Sequence, residues 1–330
     1  MANGTILVTG GAGYIGSHVA LQLRARGERV VIVDNLSRGF RRAVLDTPLV
    51  VADVGDRARI QEVLKTHAVD TVMHFAAHTI VPESVRLPLK YYGNNTCATR
   101  SLIECCIEAN VRHFVFSSTA AVYGTPADGY ADESSPTAPI NAYGTSKLMS
   151  EWMLRDTAAA NPLRYVSLRY FNVAGADSGG QIGQSTEGAT LLTKVACEAV
   201  VGKRSHVSIY GTDYPTKDGT GVRDYIHVED LARAHLDALD YLRGDGASVV
   251  LNCGYGHGYS VRELLSAVER LSGQKLEIRE EPRREGDPSI LIARAARIRQ
   301  VLGWKPRLDD LDAIVRSALA WERRLVKEPW

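Results

Sequence analysis

The sequence is short of the features that mark secreted, membrane-spanning or nucleic-acid-binding proteins. Its five cysteines, Cys97, Cys105, Cys106, Cys197 and Cys253, are odd in number and form no CxxC pair. That fits reduced thiols better than a disulfide framework. No run of about 18 apolar residues occurs, so nothing reads as a membrane span. The opening MANGTILVTGG lacks both a basic and a long apolar segment, which favours the cytoplasm. Neither sign of charge is in excess: 39 Lys and Arg face 38 Asp and Glu, for a net +1. This gives no bulk electrostatic reason to expect nucleic acid or a membrane surface. Small molecules and a second copy of the chain are the expected partners. Repeats and low-complexity tracts are absent too. His74 and His78 stand at HxxxH spacing in HFAAH. No glutamate lies between them and a strand-like VDTVM precedes them, so they read as structural histidines and no metal is expected.

What is present is an ordinary globular composition, 330 residues with 45% hydrophobic and 23% charged, enough for one large core or two unequal domains. TILVTG, RVVIVDN, LVVAD, TVMHFAA, HFVFSS and RYVSLRYFN are apolar enough to be strands buried on both faces. Helical patterns separate most of them. Such alternation predicts an α/β fold built on a Rossmann-type, doubly wound parallel sheet. After YFNVAGA the pattern changes to a helix in GATLLTKVACEAVVGK, a strand with a long turn in HVSIYGTDYPTKDGTGVRDYIHV, and an amphipathic helix in EDLARAHLDALDYL. The expected division is therefore a dinucleotide-binding domain over 1–173, rejoined by about 224–254, and a smaller, discontinuous substrate domain over 174–330. The long irregular stretches GTPADGYADESSPTAPIN and 175–188 are expected to cover sites.

ILVTG runs directly into GGAGYIGSHVALQLRARG, which satisfies GxGxxG at Gly11, Gly13 and Gly16 and GxxGxxG at Gly10, Gly13 and Gly16. Glycines there permit a tight turn and close approach of a pyrophosphate, which the helix start attracts. Asp34 ends the second strand, 18 residues beyond Gly16, placed to bond adenosine ribose hydroxyls. A carboxylate there repels a 2′-phosphate, so NAD is expected over NADP. Asp53 reads equally well as an adenine contact or as a strand-end cap. In NAYGTSKLMSE, Tyr143 and Lys147 are four residues apart, stacked across one helical turn, so the cation is expected to favour ionisation of the phenol.

TGGAGYIGSH, FSSTAAVYG, NAYGTSK, LRYFNVAGA, YGTDYPTKDGTGVRDYIHVEDLA and RREGD together resemble the extended short-chain dehydrogenase/reductases, and among these the UDP-galactose 4-epimerases, from residue 5 to about residue 305. The glycine motif and YxxxK are shared by the whole superfamily; GTDYPTKDGTGVRDYIHV and RREGD are more particular to the epimerases. The resemblance implies Tyr143 as base, Lys147 on the nicotinamide ribose and Thr119 on the sugar hydroxyl, although Thr119 alone would read as a β-branched strand-end residue. On the cofactor side it implies Gly10, Gly13, Tyr14, Ile15, Gly16, Asp34, Asn35, Asp53, Val54, Phe75, Ala76, Ala77, Asn95 and Tyr170, with Phe171. Around the nucleotide sugar it implies Asn172, Tyr210, Arg223, Arg284, Asp287 and Leu291. It further implies a homodimer formed through the helices at TCATRSLIECCIEAN and at Tyr143.

Relatives that dehydrate sugar nucleotides carry an acidic pair after the hydroxyl residue, where this chain has Ala120 and Ala121. Oxidation of carbon 4 with return of the hydride is thus the implied chemistry. Related decarboxylases of UDP-glucuronate, which use a glutamate nearby, fit poorly. Three positions depart from the pattern. Thr79 stands where a lysine often approaches the cofactor phosphates, Thr190 or Leu191 where some members have paired asparagines, and Leu291 where a bulky tyrosine or a small residue occurs. Leucine, intermediate in size, suggests preference for plain hexoses. A 4-epimerase of UDP-xylose or UDP-N-acetylglucosamine, or a non-catalytic NAD-binding protein, remain as alternatives.

Overall fold

The computed structural model describes residues 4–284 and 287–330. Seven parallel strands form the main sheet, in spatial order Val249–Cys253, Arg164–Tyr170, His113–Ser117, Val69–His74, Thr5–Thr9, Val30–Asp34 and Leu49–Val51. Chain order reverses direction between Thr5–Thr9 and Val69–His74. That is the topological switch point at which open parallel sheets form a ligand crevice beyond their carboxyl ends. Most of the apolar runs become strands because both faces are covered, whereas Leu49–Val51, expected to be buried on both faces, is the edge strand of the sheet with Val51 49% exposed. Leu7, Val31, Val72, Phe114 and Phe116 pack on one side with helices Arg57–Thr66 and Ala98–Glu108. Ile6, Val8, Ile32 and Val115 pack on the other with Tyr14–Ala25 and Val228–Arg243. No helix of the described residues is long and apolar enough to cross a membrane.

Residues beyond the sixth strand of the sheet build smaller pieces on its carboxyl edge. Asn172–Ala174 pairs with Tyr225–His227, and Val207–Tyr210 with Ile278–Glu281, both in parallel. Val222–Arg223 lies between Tyr259–Ser260 and Ile290–Ala293, and the latter also pairs with Tyr130–Ala131. The strand Tyr130–Ala131 lies inside a stretch that the sequence marks as irregular. Two residues carry no periodicity; their pairing with Ile292 and Ala293 makes the strand. A π-helical turn over Tyr92–Cys97 was also invisible in the pattern.

Two buried carboxylates tie the pieces together. Asp224 accepts hydrogen bonds from the amides of Tyr255 (3.0 Å), Gly256 (2.9 Å) and Ala293 (3.3 Å). Burial pushes its pKa up, and these amides pull it back. Asp230, in the Val228–Arg243 helix, accepts from the Tyr255 hydroxyl (2.8 Å) and from the amides of Arg307 (2.9 Å) and Leu308 (2.8 Å). Removing it leaves the Arg307 and Leu308 amides without this acceptor, at about 1–3 kcal/mol for each unsatisfied group, while the Tyr255 hydroxyl keeps a bond to Leu308 O (3.1 Å). Asp230→Ala is therefore expected to lower unfolding stability by about 3 kcal/mol or more, read from urea denaturation midpoints at unchanged m-value.

Candidate active site

The loop between the first strand and the helix Tyr14–Ala25 is shaped by backbone contact. Gly10 has φ +69°, and a Cβ on it would lie 2.5 Å from the Ala76 nitrogen. A Cβ on Gly16 would lie 2.4 Å from the Gly10 carbonyl oxygen. The helix starts at Gly13 with no side-chain cap and no acidic residue in its first turn. Its leading amides, at Tyr14, Ile15 and Gly16, are thus free of any side-chain anion, the arrangement a pyrophosphate requires. These residues fit a dinucleotide.

Asp34 ends its strand almost buried, taking the Ala12 amide (2.9 Å) on one oxygen and the Leu36 amide (2.8 Å) on the other. It therefore holds the glycine loop to the loop that follows the second strand, and ribose hydroxyls would add to these bonds. Burial raises its pKa, and the two amides oppose the rise. Asn35 donates to Asp53 (2.9 Å), whose other oxygen takes the Gly55 amide (2.7 Å). Val54 is part of the core on one face of the sheet, and Ile15 packs at the edge of the core on the other. Tyr14 donates its hydroxyl to Gly175 O (2.6 Å), linking the nucleotide loop to the chain beyond the sheet.

After the fourth strand come Phe75, Ala76 and Ala77, all part-exposed, with Phe75 against the His235 ring at 4.8 Å. Asn95 is buried, and its amide is used by the protein. It accepts from the His78 nitrogen (2.8 Å) and donates to His78 O (3.0 Å) and Ser146 Oγ (3.1 Å). It thereby joins the π-turn, the segment after the fourth strand and the helix Ala142–Ala160. His74 lies between the hydroxyls of Thr9 (2.6 Å) and Thr99 (2.8 Å), and burial holds its pKa at about 3. Among the described residues no group of three or more His, Cys, Asp or Glu side chains could hold a metal.

Asn141 caps the helix Ala142–Ala160 by accepting the Gly144 amide (2.9 Å). A Cβ on Gly144 would lie 2.5 Å from Ala121 O, so its absence lets this helix close onto the turn Ala120–Tyr123. That turn begins at Thr119, whose hydroxyl accepts the Ala121 amide (3.2 Å). Tyr143, Lys147 and Thr119 are all nearly buried. Burial pushes the Tyr143 phenol up, and a hydrogen bond with Thr119 pulls it down. Tyr170 stands near enough to Tyr143 for the two to repel when ionised; burial is the larger cause of its own upward shift. Its hydroxyl oxygen accepts from Ser117 Oγ (2.9 Å).

The four-residue spacing suggested a cation serving the phenol; Lys147 finds its partner at the end of the fifth strand of the sheet. Its ammonium donates to Ser117 O (2.9 Å) and lies 4.9 Å above the Phe116 ring. Burial depresses its pKa to about 7, with Glu151 opposing the fall. The helix does put both side chains on one buried face; the strand end then captures the cation.

On the outer side, Asn172 opens its strand and donates its amide to Asp224 O (2.9 Å). Arg223 donates to Val222 O (2.9 Å), and its other terminal nitrogen is 3.8 Å from Asp287. Leu291 pairs with Arg223 across the strands. The Arg284 guanidinium stacks 3.6 Å from the centre of the half-exposed Tyr210 ring. Glu285 and Gly286, the middle of RREGD, lie outside the described residues.

The model of the NAD dependent epimerase/dehydratase family matches residues 6–254. The chain belongs to this family. It is 54% identical over 325 residues to a UDP-glucose 4-epimerase of Azospirillum brasilense, covering 98% of this chain and 93% of that protein. It superposes with TM-score 0.94 on the UDP-glucose 4-epimerase of Brucella ovis in complex with NAD, at 43% identity over 96% of this chain and 98% of that one. The UDP-Glc/GlcNAc 4-epimerase of Campylobacter jejuni gives TM-score 0.86 at 47% identity, covering 98% of this chain and 100% of that one.

For this epimerase/dehydratase site, sequence reasoning missed Ser117, Ser118 and Arg169, which brace the helix Ala142–Ala160 and the strand ends. The serine pair just before Thr119 in FSSTAAV was the available signal. Gly16→Ala is expected to remove most of the NAD retained per chain, measured by release of the dinucleotide on denaturation, because the clashing partner is backbone and cannot swing away.

Proposed function

We infer that this chain catalyses reversible 4-epimerisation of UDP-galactose and UDP-glucose, using NAD that it keeps bound through the cycle. The observation that carries the reading is the convergence of Thr119, Tyr143 and Tyr170 at the carboxyl edge of the sheet, with the Lys147 ammonium fixed beneath them. Bound NAD supplies the acceptor and later the donor of the carbon 4 hydride, together with a positive charge beside the Tyr143 phenol. Tyr143 is the base that takes the proton of the sugar 4-hydroxyl and returns it. An unperturbed phenol titrates near 10, and its burial here raises that further, so it relies on Thr119 and neighbouring positive charge to ionise. Thr119 holds or relays the substrate proton. Ala120 and Ala121 offer no carboxylate for elimination, which leaves oxidation and re-reduction at carbon 4.

Asn172, Tyr210, Arg223, Arg284, Asp287 and Leu291 form the proposed UDP-hexose side. The exposed arginine stacked on Tyr210 and the half-buried Arg223 suit a diphosphate and a uracil ring. The cofactor side is the segment 1–173 with 224–254, and 174–330 otherwise serves the sugar nucleotide. The helix Ala142–Ala160 exposes Met149 and Trp152, which supports a homodimer packed through this helix and Ala98–Glu108. Light scattering is expected to give twice the chain mass, and Trp152→Glu to reduce it to one.

The functional test is conversion of UDP-galactose to UDP-glucose with no cofactor added. The protein as purified is expected to reach equilibrium, and to do so faster than with UDP-N-acetylglucosamine if Leu291 sets the preference proposed for it. Tyr143→Phe is expected to lower kcat by about 100-fold or more, the range of a lost general base, with NAD still bound. Unchanged turnover in that variant overturns the mechanism.

A further inference from the structure

We propose that Glu151, one helical turn beyond Lys147 and buried against Arg169 and Ser118, is a positioning residue that keeps the Lys147 amine charged and sets the backbone that carries Thr119. The inference rests on the epimerase reading above. Three elements meet at this carboxylate. Its Oε1 accepts from Ser118 Oγ (2.5 Å) and Arg169 Nε (3.0 Å), and its Oε2 from Arg169 Nη2 (2.6 Å). Ser118 immediately precedes Thr119, and Arg169 immediately precedes Tyr170, so one buried ion pair clamps the two strand ends that carry those side chains to the helix that carries Tyr143 and Lys147. The clamp extends outward. Arg169 donates to Tyr123 Oη (3.0 Å), which donates to Asn252 Oδ1 (2.7 Å) on the neighbouring strand.

The charges matter as much as the bonds. Glu151 is the anion that supports Lys147. The groups acting on Lys147 are Glu151 on its own helix, Phe116 and the Ser117 carbonyl on the fifth strand of the sheet and His74 on the fourth, while Arg169 on the sixth strand binds Glu151 itself and Tyr170 stands near Tyr143. His74 is held neutral, with its pKa near about 3, and burial keeps the Tyr170 phenol protonated. Arg169 is permanently cationic. Glu151 acts on Lys147 and Arg169 acts on Glu151, so the strength of that one anion sets whether Lys147 keeps its proton near neutral pH. A buried ammonium is destabilised by desolvation and restored by a nearby anion. Removing the anion lowers the Lys147 pKa, so the loss of the ammonium, and of what it holds, moves to lower pH. Removing the cation Arg169 does the reverse.

The test is the pH dependence of kcat for UDP-galactose conversion, together with NAD retained per chain after gel filtration at each pH. Glu151→Gln is expected to move the alkaline fall of both by about one pH unit downward, and Arg169→Met by a similar amount upward. Ser118→Ala, with the charges intact, is expected to lower kcat several-fold and leave the fall where it was. Glu151→Gln and Arg169→Met curves that drop by one factor at every pH would reduce Glu151 to a structural residue and overturn the proposal. If either variant fails to fold, the sign of the shift in the other decides. If neither folds, NAD retention by the unsubstituted protein decides, since retention that stays flat through the alkaline range overturns it. Unsubstituted protein that keeps NAD in a pH-dependent way yet converts no UDP-galactose overturns the functional reading and leaves this one standing.

Discussion

The ligand-facing edge of this molecule depends on one close approach, the passage of Gly10 against the backbone of Ala76. The first and fourth strands of the sheet are hydrogen-bonded neighbours up to Thr9 and His74. Beyond that pair one chain must turn into the helix Tyr14–Ala25 and the other must run on past the sheet. Gly10 makes the first turn possible at positive φ. Its amide still reaches Val33 O (2.8 Å), while the Phe75 amide reaches Thr9 O (2.9 Å). The crevice opens where these two chains part. Asp34 then fixes the loop from the far side through Ala12, and the helix presents uncapped amides toward the opening.

Within that crevice the reacting groups are poorly served by their own surroundings. Burial disfavours a phenolate at Tyr143 and an ammonium at Lys147 alike. The ammonium survives because the Ser117 carbonyl, the Phe116 ring face and Glu151 surround it. For the phenol, among the described residues, the Thr119 hydroxyl is the group that opposes burial. A dry site strengthens every remaining electrostatic term, so the proposed base ionises in response to what binds beside it. The bare protein protects its tyrosine from ionising.

The sequence made the sheet legible because each of its first six strands is a short β-branched or aromatic run, and all of them but the edge strand Leu49–Val51 are covered on both faces. The glycine turn and the acid after the second strand were legible for the same reason: backbone geometry leaves few residue choices there. Spacing alone correctly put Tyr143 and Lys147 on one helix face. It could not show where the lysine would point, because the Ser117 carbonyl that captures it comes from a strand 30 residues earlier. The bracing by Ser118, Glu151 and Arg169 is likewise a property of three elements at once, and each residue taken singly reads as a surface or strand residue. Asn95 shows the limit most clearly. Its side chain is spent on His78 and Ser146 through a π-turn, and no local pattern announces that turn.

The substrate side is joined to this frame by very little chain. Arg223 is followed at once by Asp224, which gathers amides from three other positions. Seven residues beyond Arg223, Asp230 sits inside a helix packed on the main sheet and holds Arg307 and Leu308. Asn172, two residues after the end of the sixth strand of that sheet, donates its backbone amide to the Asp224 carbonyl. A hinge between Arg223 and the sheet would have to break these bonds together, and the Asp224 and Asp230 carboxylates that accept most of them are fully buried. On the epimerase reading, inversion requires the 4-keto sugar to present its other face to Tyr143. The backbone here is too tightly tied to carry that motion. On that reading reorientation falls to the sugar itself, pivoting on a nucleotide that the proposed Tyr210, Arg284 and Arg223 set would hold, with Tyr210 and Arg284 at the exposed rim and Arg223 half-buried behind them.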